Sequence, residues 1–342
     1  MAPNERTRRA TIRDVAARAG VSASTVSHVF SGRRTISEAT RMRVLQTATD
    51  LDYRADPTAQ SLRRSSTGIL GLIVRPRDAI RGSLRGTQTF ERLMGAVAAE
   101  VLERGLALIH VPDIFDPSVT QVPMDGCIVA HPYADDAVLA ELQRRRVPTV
   151  LIEEDTAHPE LAWAVALDYK PVLHRLLGQL RRAGAKRMLL LSGTEDNAWN
   201  RRPREIITGW AAEHGVQLHL EALYEGEGAV GAHRLLTTRF DEHGVPDAVI
   251  TGPSTFAAGA LSAVQARGLA VPGDVQIAAL VDSEYTRGSV PPVTALDLVL
   301  EDLAAHGVDL LVQQLAGAPA PASARRVLPT LHARASTGRV AG

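Results

Sequence analysis

GVSASTVSHVF, residues 20–30, places a glycine-valine turn ahead of small hydroxylated residues, with Val26 and Val29 one helical turn apart. As a helix it turns Val26, Val29 and Phe30 inward and leaves Ala23, Ser24, Thr25, Ser27 and His28 outside. That outer face carries little charge to pair and little apolar surface to bury, so it suits a surface that enters a groove. Before it, Ile12, Val15, Ala16 and Ala19 recur at helical spacing behind Thr11, a good N-cap, and Gly20 stops the run. After it, Gly32 ends the helix, and a third run starts at Ser37 and aligns Val44, Ala48 and Leu51. Helix, glycine turn, helix is the layout of the helix-turn-helix, whose second helix enters the major groove of DNA.

Charge points the same way. Over 342 residues the chain has 38 basic and 38 acidic side chains. Residues 1–66 hold 12 Arg against 6 Asp or Glu, which leaves 26 basic against 32 acidic for the rest. A basic head on an acidic body points to a polyanion partner, with Arg33, Arg34, Arg41 and Arg43 placed to neutralise phosphates. The same three helices also suit a scaffold that binds another protein.

After Tyr53, the segment RADPTAQSLRRSST (54–67) opens a helix at Asp56-Pro57 that is too short and polar to stand alone. It reads as a linker, or as a piece that folds on contact. From residue 68, short apolar runs such as GILGLIV, GCIVA and AVAL alternate with amphipathic helical runs. That alternation means parallel sheets covered on both faces, in two similar series joined near residues 163–168. The single cysteine, Cys127, lies inside an apolar run; it excludes an intramolecular disulfide and reads as an inert buried thiol. No secretory signal and no 18-residue apolar run appear, so a cytoplasmic protein with no membrane partner is expected. GxSxG, GxxxxGK[ST], HExxH and CxxC are all missing, so neither an enzyme nor a cofactor or metal site is expected.

The GVS turn, the TVS core at 25–27, the S-x-x-T-R-x-R-V run at 37–44, the A-x-S-L run at 59–62 and the terminal ARAST at 333–337 together resemble the lactose-repressor (LacI/GalR) family of bacterial transcription regulators. The resemblance runs from Thr11 almost to the C-terminus. It implies a helix-turn-helix head (1–54), a hinge helix or linker (55–67) and a two-lobed α/β body (68–342). The body would be of the periplasmic-binding-protein type, with the chain crossing between lobes near 165–170 and 283–300. It also implies a homodimeric repressor on a pseudo-palindromic operator, controlled by a small-molecule effector held between the lobes.

Carried over by position, Ser22, Thr25, Ser27, Ser37, Thr40 and Tyr53 match phosphate-contacting or helix-placing residues, and Ala23, Ser24 and His28 match base readers. Relatives usually have arginine at His28, so the preferred operator should differ. Leu62, one turn after Ala59, matches a leucine that wedges into the minor groove, with a leucine packing on the body as the alternative. In the body, strand ends offer Arg75, His131, Glu153, Asp168, Thr194 and Asp282 to an effector, and a salt bridge is the competing role for any one of them. The usual sugar clamp is missing: Ile206 replaces an arginine, Pro253 and Ser254 an Asn-Asp pair, and Val281 an aspartate. Arg204 lies two residues off register. An ordinary hexose is therefore not expected. Between residues 112 and 125 the chain is too short for the helix relatives carry there, so the first lobe is expected to lack a cover. The other readings are a regulator with lost or protein-mediated effector control, a small-molecule enzyme carrying a DNA-binding head, and a pure ligand-binding module.

Overall fold

The computed structural model describes residues 10–31, 34–53, 66–75, 88–111, 114–115 and 123–338. The chain divides into two compact units, one ending at Gly68 and the other beginning at Ile69. Ala59, Leu62 and most of the hinge segment lie outside the described residues, as do residues 116–122 of the shortened stretch.

The first unit contains α1 (Ile12–Ala19), α2 (Ala23–Ser31) and α3 (Glu38–Asp50). Thr11 and Asp14 form a reciprocal capping box at the start of α1, and Gly20 closes the helix at φ +65°, a conformation glycine adopts without penalty. Val15, Ala16, Ala19, Val26, Val29, Val44 and Ala48 make a small closed core, with Phe30 and Tyr53 packed edge-on at 5.8 Å along its margin. Arg43 donates Nε to the Ala19 carbonyl at 3.0 Å, so this arginine ties α3 to the end of α1.

The second unit holds two doubly wound lobes. The first-lobe sheet runs β11-β5-β4-β3-β1-β2, all parallel. Its strands are β1 (Ile69–Val74), β2 (Ala107–His110), β3 (Gly126–Ala130), β4 (Thr149–Ile152), β5 (Ala164–Leu167) and β11 (Arg325–Val327). The second sheet runs β12-β10-β9-β8-β6-β7 and is parallel except for β12. It contains β6 (Arg187–Ser192), β7 (Gln217–Ala222), β8 (Ala248–Thr251), β9 (Gln276–Ala279), β10 (Thr294–Asp297) and β12 (Thr330–His332). Strands β3, β5, β8 and β9 are buried at every residue, because helices cover both faces of a parallel sheet.

The first lobe carries α4 (Gln88–Glu103), α5 (Ala137–Arg144) and α11 (Leu300–Leu315). The second carries α6 (Tyr169–Arg182), α7 (Ala198–His214), α8 (Gly228–His243), α9 (Ser254–Gln265) and the single turn α10 (Glu284–Arg287). The chain passes between lobes at residue 168, at 298–299 and again at 328–329. The third passage was not expected from sequence: β11 and β12 are three residues each, too short to show a period.

Two close approaches shape the layers. On α9, a Cβ at Gly259 would lie 2.4 Å from the Ala229 carbonyl oxygen, so α8 and α9 meet backbone to backbone. On β1, a Cβ at Gly71 would lie 2.4 Å from the Met124 sulfur. Among the described residues no helix stands between β2 and β3; Val111, Ile114 and Met124 pack onto that face beside α5 and do the covering. Cys127 is fully buried there, and burial pushes its thiol up to about 12.

Candidate nucleic-acid interface and interlobe cleft

In the head, the outer face of α2 is set by local hydrogen bonds. Ser22 Oγ accepts from the Thr25 amide at 3.1 Å and lies 2.7 Å from Ser24 Oγ and 2.8 Å from Thr25 Oγ1. Ser37 does the same for α3, with Oγ 2.8 Å from Thr40 Oγ1 and accepting from the Thr40 amide at 3.4 Å. Ser22, Ala23 and Ser24 are exposed at the helix start, while Thr25, Ser27 and His28 are half-buried on the next turn. Tyr53 rests on Phe30 and so fixes the end of α3. The N-terminus of α2 therefore presents small hydroxyls and a partial positive dipole on a rigid base.

In the body, the first-lobe strand ends form a row. The amides of Arg75, His131 and Glu153 donate to the carbonyls of Ala130, Ile152 and Val165 at 3.0, 2.8 and 2.7 Å, so each continues the ladder one residue past its strand. Their side chains then diverge. Arg75 donates Nε to Asp136 at 2.7 Å and lies over the Tyr133 ring, whose hydroxyl donates back to the Arg75 carbonyl. It thereby braces the turn that Asp136 caps for α5.

His131, with φ +53°, is 2% exposed, and neither ring nitrogen has a hydrogen-bond partner among the described residues. Burial lowers it to about 3, so the imidazole is neutral. It packs against Phe90 at 5.3 Å and Trp199 at 4.9 Å, and those two rings are 5.5 Å apart. Phe90 stands on α4 of the first lobe and Trp199 on α7 of the second. The three rings therefore meet across the cleft.

Glu153, φ +68° and 1% exposed, has the Tyr169 hydroxyl 3.5 Å from its carboxylate. Burial first, and the neighbouring Glu154 second, raise it to about 8. Burial and Glu153 together raise Tyr169 well above the ordinary tyrosine value. Asp168 stands at the N-cap of α6 without making a side-chain cap bond. Thr194 donates to Glu225, which also accepts from the Glu195 amide and Asn200.

Asp282 is enclosed by its own lobe. Arg334 donates to it at 2.7 and 2.9 Å, Arg287 at 2.9 Å and the Thr286 hydroxyl at 2.6 Å. Burial opposes ionisation, but the hydrogen bonds from Arg334 and Thr286 prevail and hold the carboxyl at about 2. It anchors the terminal ARAST segment, whose Ser336 bridges β9 and β10. Ile206 and Val281 pack into the core cluster that runs through both lobes.

Sequence reasoning missed Phe90, Trp199 and the pairs that latch the lobes. Glu154, 4% exposed, accepts from Arg202 of the second lobe at 2.5 Å and from Arg326 of β11 at 2.7 Å. The Ala134 amide donates to the Asp196 carbonyl, and the Glu284 amide donates to Gln88. Only Trp199 carried a sequence signal, as a lone large aromatic between Asn197 and two arginines. Among the described residues, no helix is long and apolar enough to cross a membrane, and no cluster of three His, Cys, Asp or Glu is placed to hold a metal.

Comparison with known proteins identifies both domains. Residues 11–56 match the model of bacterial regulatory proteins of the lacI family, and residues 177–337 match a periplasmic binding protein-like domain. The chain carries a lacI-family helix-turn-helix domain and a periplasmic-binding-protein-like domain. It is similar to the HTH-type transcriptional regulator AscG of Escherichia coli, 25% identical over 90% of this chain and 92% of that protein. It is similar also to the HTH-type transcriptional repressor PurR of Mannheimia succiniciproducens, 26% identical over 97% of this chain and 100% of that one. In fold it matches the lac repressor dimer bound to operator and the anti-inducer ONPF, with a TM-score of 0.80 at 19% identity over 96% and 99% of the two chains. A CelR–cellobiose complex matches with a TM-score of 0.71 at 21% identity, over 96% and 100%.

Proposed function

We propose that this protein is a transcriptional repressor that binds a pseudo-palindromic operator as a homodimer, with its DNA affinity set by an effector held between the lobes. One observation carries the DNA half: the start of α2 exposes Ser22, Ala23 and Ser24 above a closed core, with caps that fix its geometry. In this reading Ser22, Ser37 and Thr40 approach phosphates, and Ala23, Ser24 and His28 meet base edges. Thr25, Ser27 and Tyr53 hold the helix in register. Ala59 and Leu62, in the hinge between a head of residues 1–54 and a body of 68–342, supply the minor-groove wedge. Such a regulator works in the cytoplasm, on double-stranded DNA.

For the dimer, the second lobe offers a face. Gln265 on α9 donates to the Val290 carbonyl, which places that loop beside the α8–α9 layer. Val230 on α8 and Val290 in this loop are 76% and 79% exposed. A second copy of the chain would cover them, and two-fold symmetry would give the paired half-sites.

A second reading, a regulator with no small-molecule control, is favoured by the ring contact across the cleft and the apolar residues at the clamp positions. Selection of bound duplexes from a random pool, with the purified full chain at stated salt, tests the main reading. A two-fold symmetric motif is the expected result. Binding without sequence preference, falling steeply with salt, would reduce the head to a phosphate binder and refute the operator reading.

A further inference from the structure

We propose that Trp199 is the resident occupant of the interlobe cleft and that the effector is a neutral, flat ring compound that displaces its indole from Phe90 and His131. The proposal rests on the effector-controlled reading above and names the chemistry of that site. Three observations carry it. First, Trp199 comes from the second lobe and lies within 5.5 Å of both first-lobe rings, so the chain's own side chain fills the position where a ligand would join the lobes. Edge-to-face and offset ring contacts of this kind add to the gain from burying aromatic area.

Second, His131 is almost wholly buried and both its nitrogens lack partners among the described residues. Indole packs on the imidazole but leaves that cost in place; a buried polar atom without a partner is unfavourable. A ring compound with an amide or ring-nitrogen edge would keep the stacking and satisfy the imidazole, so it has something to gain over Trp199.

Third, among the described residues, most of the charges singled out at the strand ends already answer one another. Arg75 pairs with Asp136, Arg202 and Arg326 with Glu154, and Arg287 and Arg334 with Asp282. A charged ligand drawn to any of these residues would have to break its pair. A sugar would need the donor and acceptor set that Ile206, Pro253 and Val281 do not supply.

Self-occupancy has a thermodynamic signature. A ligand that binds only when the indole is out has its apparent affinity reduced by the fraction of molecules in that state, and removing the indole removes the penalty. The probes are nicotinamide and benzamide, with glucose and benzoate as the non-flat and charged controls, titrated calorimetrically into the full chain. Both amides are expected to bind the wild type, and to bind Trp199→Ala at least tenfold tighter. Glucose and benzoate should bind neither protein. His131→Leu should weaken the amides at least tenfold in both backgrounds, and acrylamide should quench wild-type tryptophan emission more strongly once benzamide is bound.

If Trp199→Ala melts early, Trp199→Leu serves in its place, and the quenching experiment needs no variant. Failure of both amides to bind, equal affinity with and without the indole, or glucose binding as well as benzamide would each overturn the proposal. The titrations need no DNA, so they stand apart from the duplex selection. A protein that selects an operator yet ignores both amides loses this inference and keeps its function.

Discussion

The head and the cleft use polar side chains in opposite ways. On α2, serines and threonines bond to neighbours two or three residues away and remain at the surface. In the cleft, carboxylates and arginines bond to partners 48, 52, 61 or 172 residues away and are consumed by them. A binding face made by local caps announces itself in a short stretch of sequence. One made by strand ends from two sheets does not, because each candidate has several possible partners and only the fold chooses among them.

The contrast is tested most strongly at Asp282. If its role is to anchor the C-terminal segment, Arg334→Ala leaves a 5%-exposed carboxylate with only Arg287 and the Thr286 hydroxyl, a loss of about 3 kcal/mol. The body should melt earlier, while the head, with its own core, keeps its far-ultraviolet signature in the same scan. An unchanged melting temperature would return Asp282 to the pool of ligand contacts.

Glu153 gives the next largest effect, through pH. Its value of about 8 in the folded protein lies above the ordinary 4.5, so between those values the unfolded chain has released a proton that the folded one retains. Stability from this group is complete below 4.5 and is lost as pH rises towards 8, at up to about 1.4 kcal/mol per pH unit. His131 runs the other way. Its folded value of about 3 lies below the ordinary 6.5, so its contribution is complete above 6.5 and drains away as pH falls towards 3. Urea melts of Glu153→Gln across pH 5 to 9 should show the alkaline decline removed and the acid limb intact. A decline that persists would mean that Glu153 is ionised in the folded state.

What the sequence made legible follows the same division. Three helices, the caps at Thr11, Gly20, Ser22 and Ser37, and the core of Val15, Val26, Val29 and Val44 were readable because period and punctuation coincide within 40 residues; Gly32, expected to end α2, lies outside the described residues. The two parallel sheets were readable from alternation. The third passage between lobes was not, since Arg325–Val327 and Thr330–His332 are too short for a pattern. Of the six strand-end residues singled out, His131 and Glu153 face inward at adjacent positions with unmet or unusual polar demands. Arg75 and Asp282 lie in ion pairs, and Thr194 faces Glu225. Nothing in the residues near Asp282 could have indicated Arg334, 52 positions away.

His28 sharpens the comparison on the head's side. Arginine can grip guanine with two parallel hydrogen bonds, whereas imidazole offers one donor or acceptor to a base edge at a time. His28→Arg should shift the preferred base at one symmetric half-site position, with about 1–3 kcal/mol of new discrimination in favour of guanine. Duplex selection with the variant reads this directly. The same motif from both proteins would remove His28 from the base-reading set.

Ser22→Ala should give the smallest effect and the most local one. The Ser22 hydroxyl caps α2 through the Thr25 amide and touches Ser24 and Thr25, all within three residues, and no body residue takes part in these bonds. Losing an N-cap of this kind costs about 1 kcal/mol. The head should therefore unfold a few degrees earlier, with no change in the body's transition or its alkaline decline. Ser22→Asp restores an N-cap acceptor and should recover the head's stability, yet its carboxylate would repel phosphate. Thermal recovery with weakened DNA binding would separate capping from contact at one residue; recovery of both would show that Ser22 only places the helix.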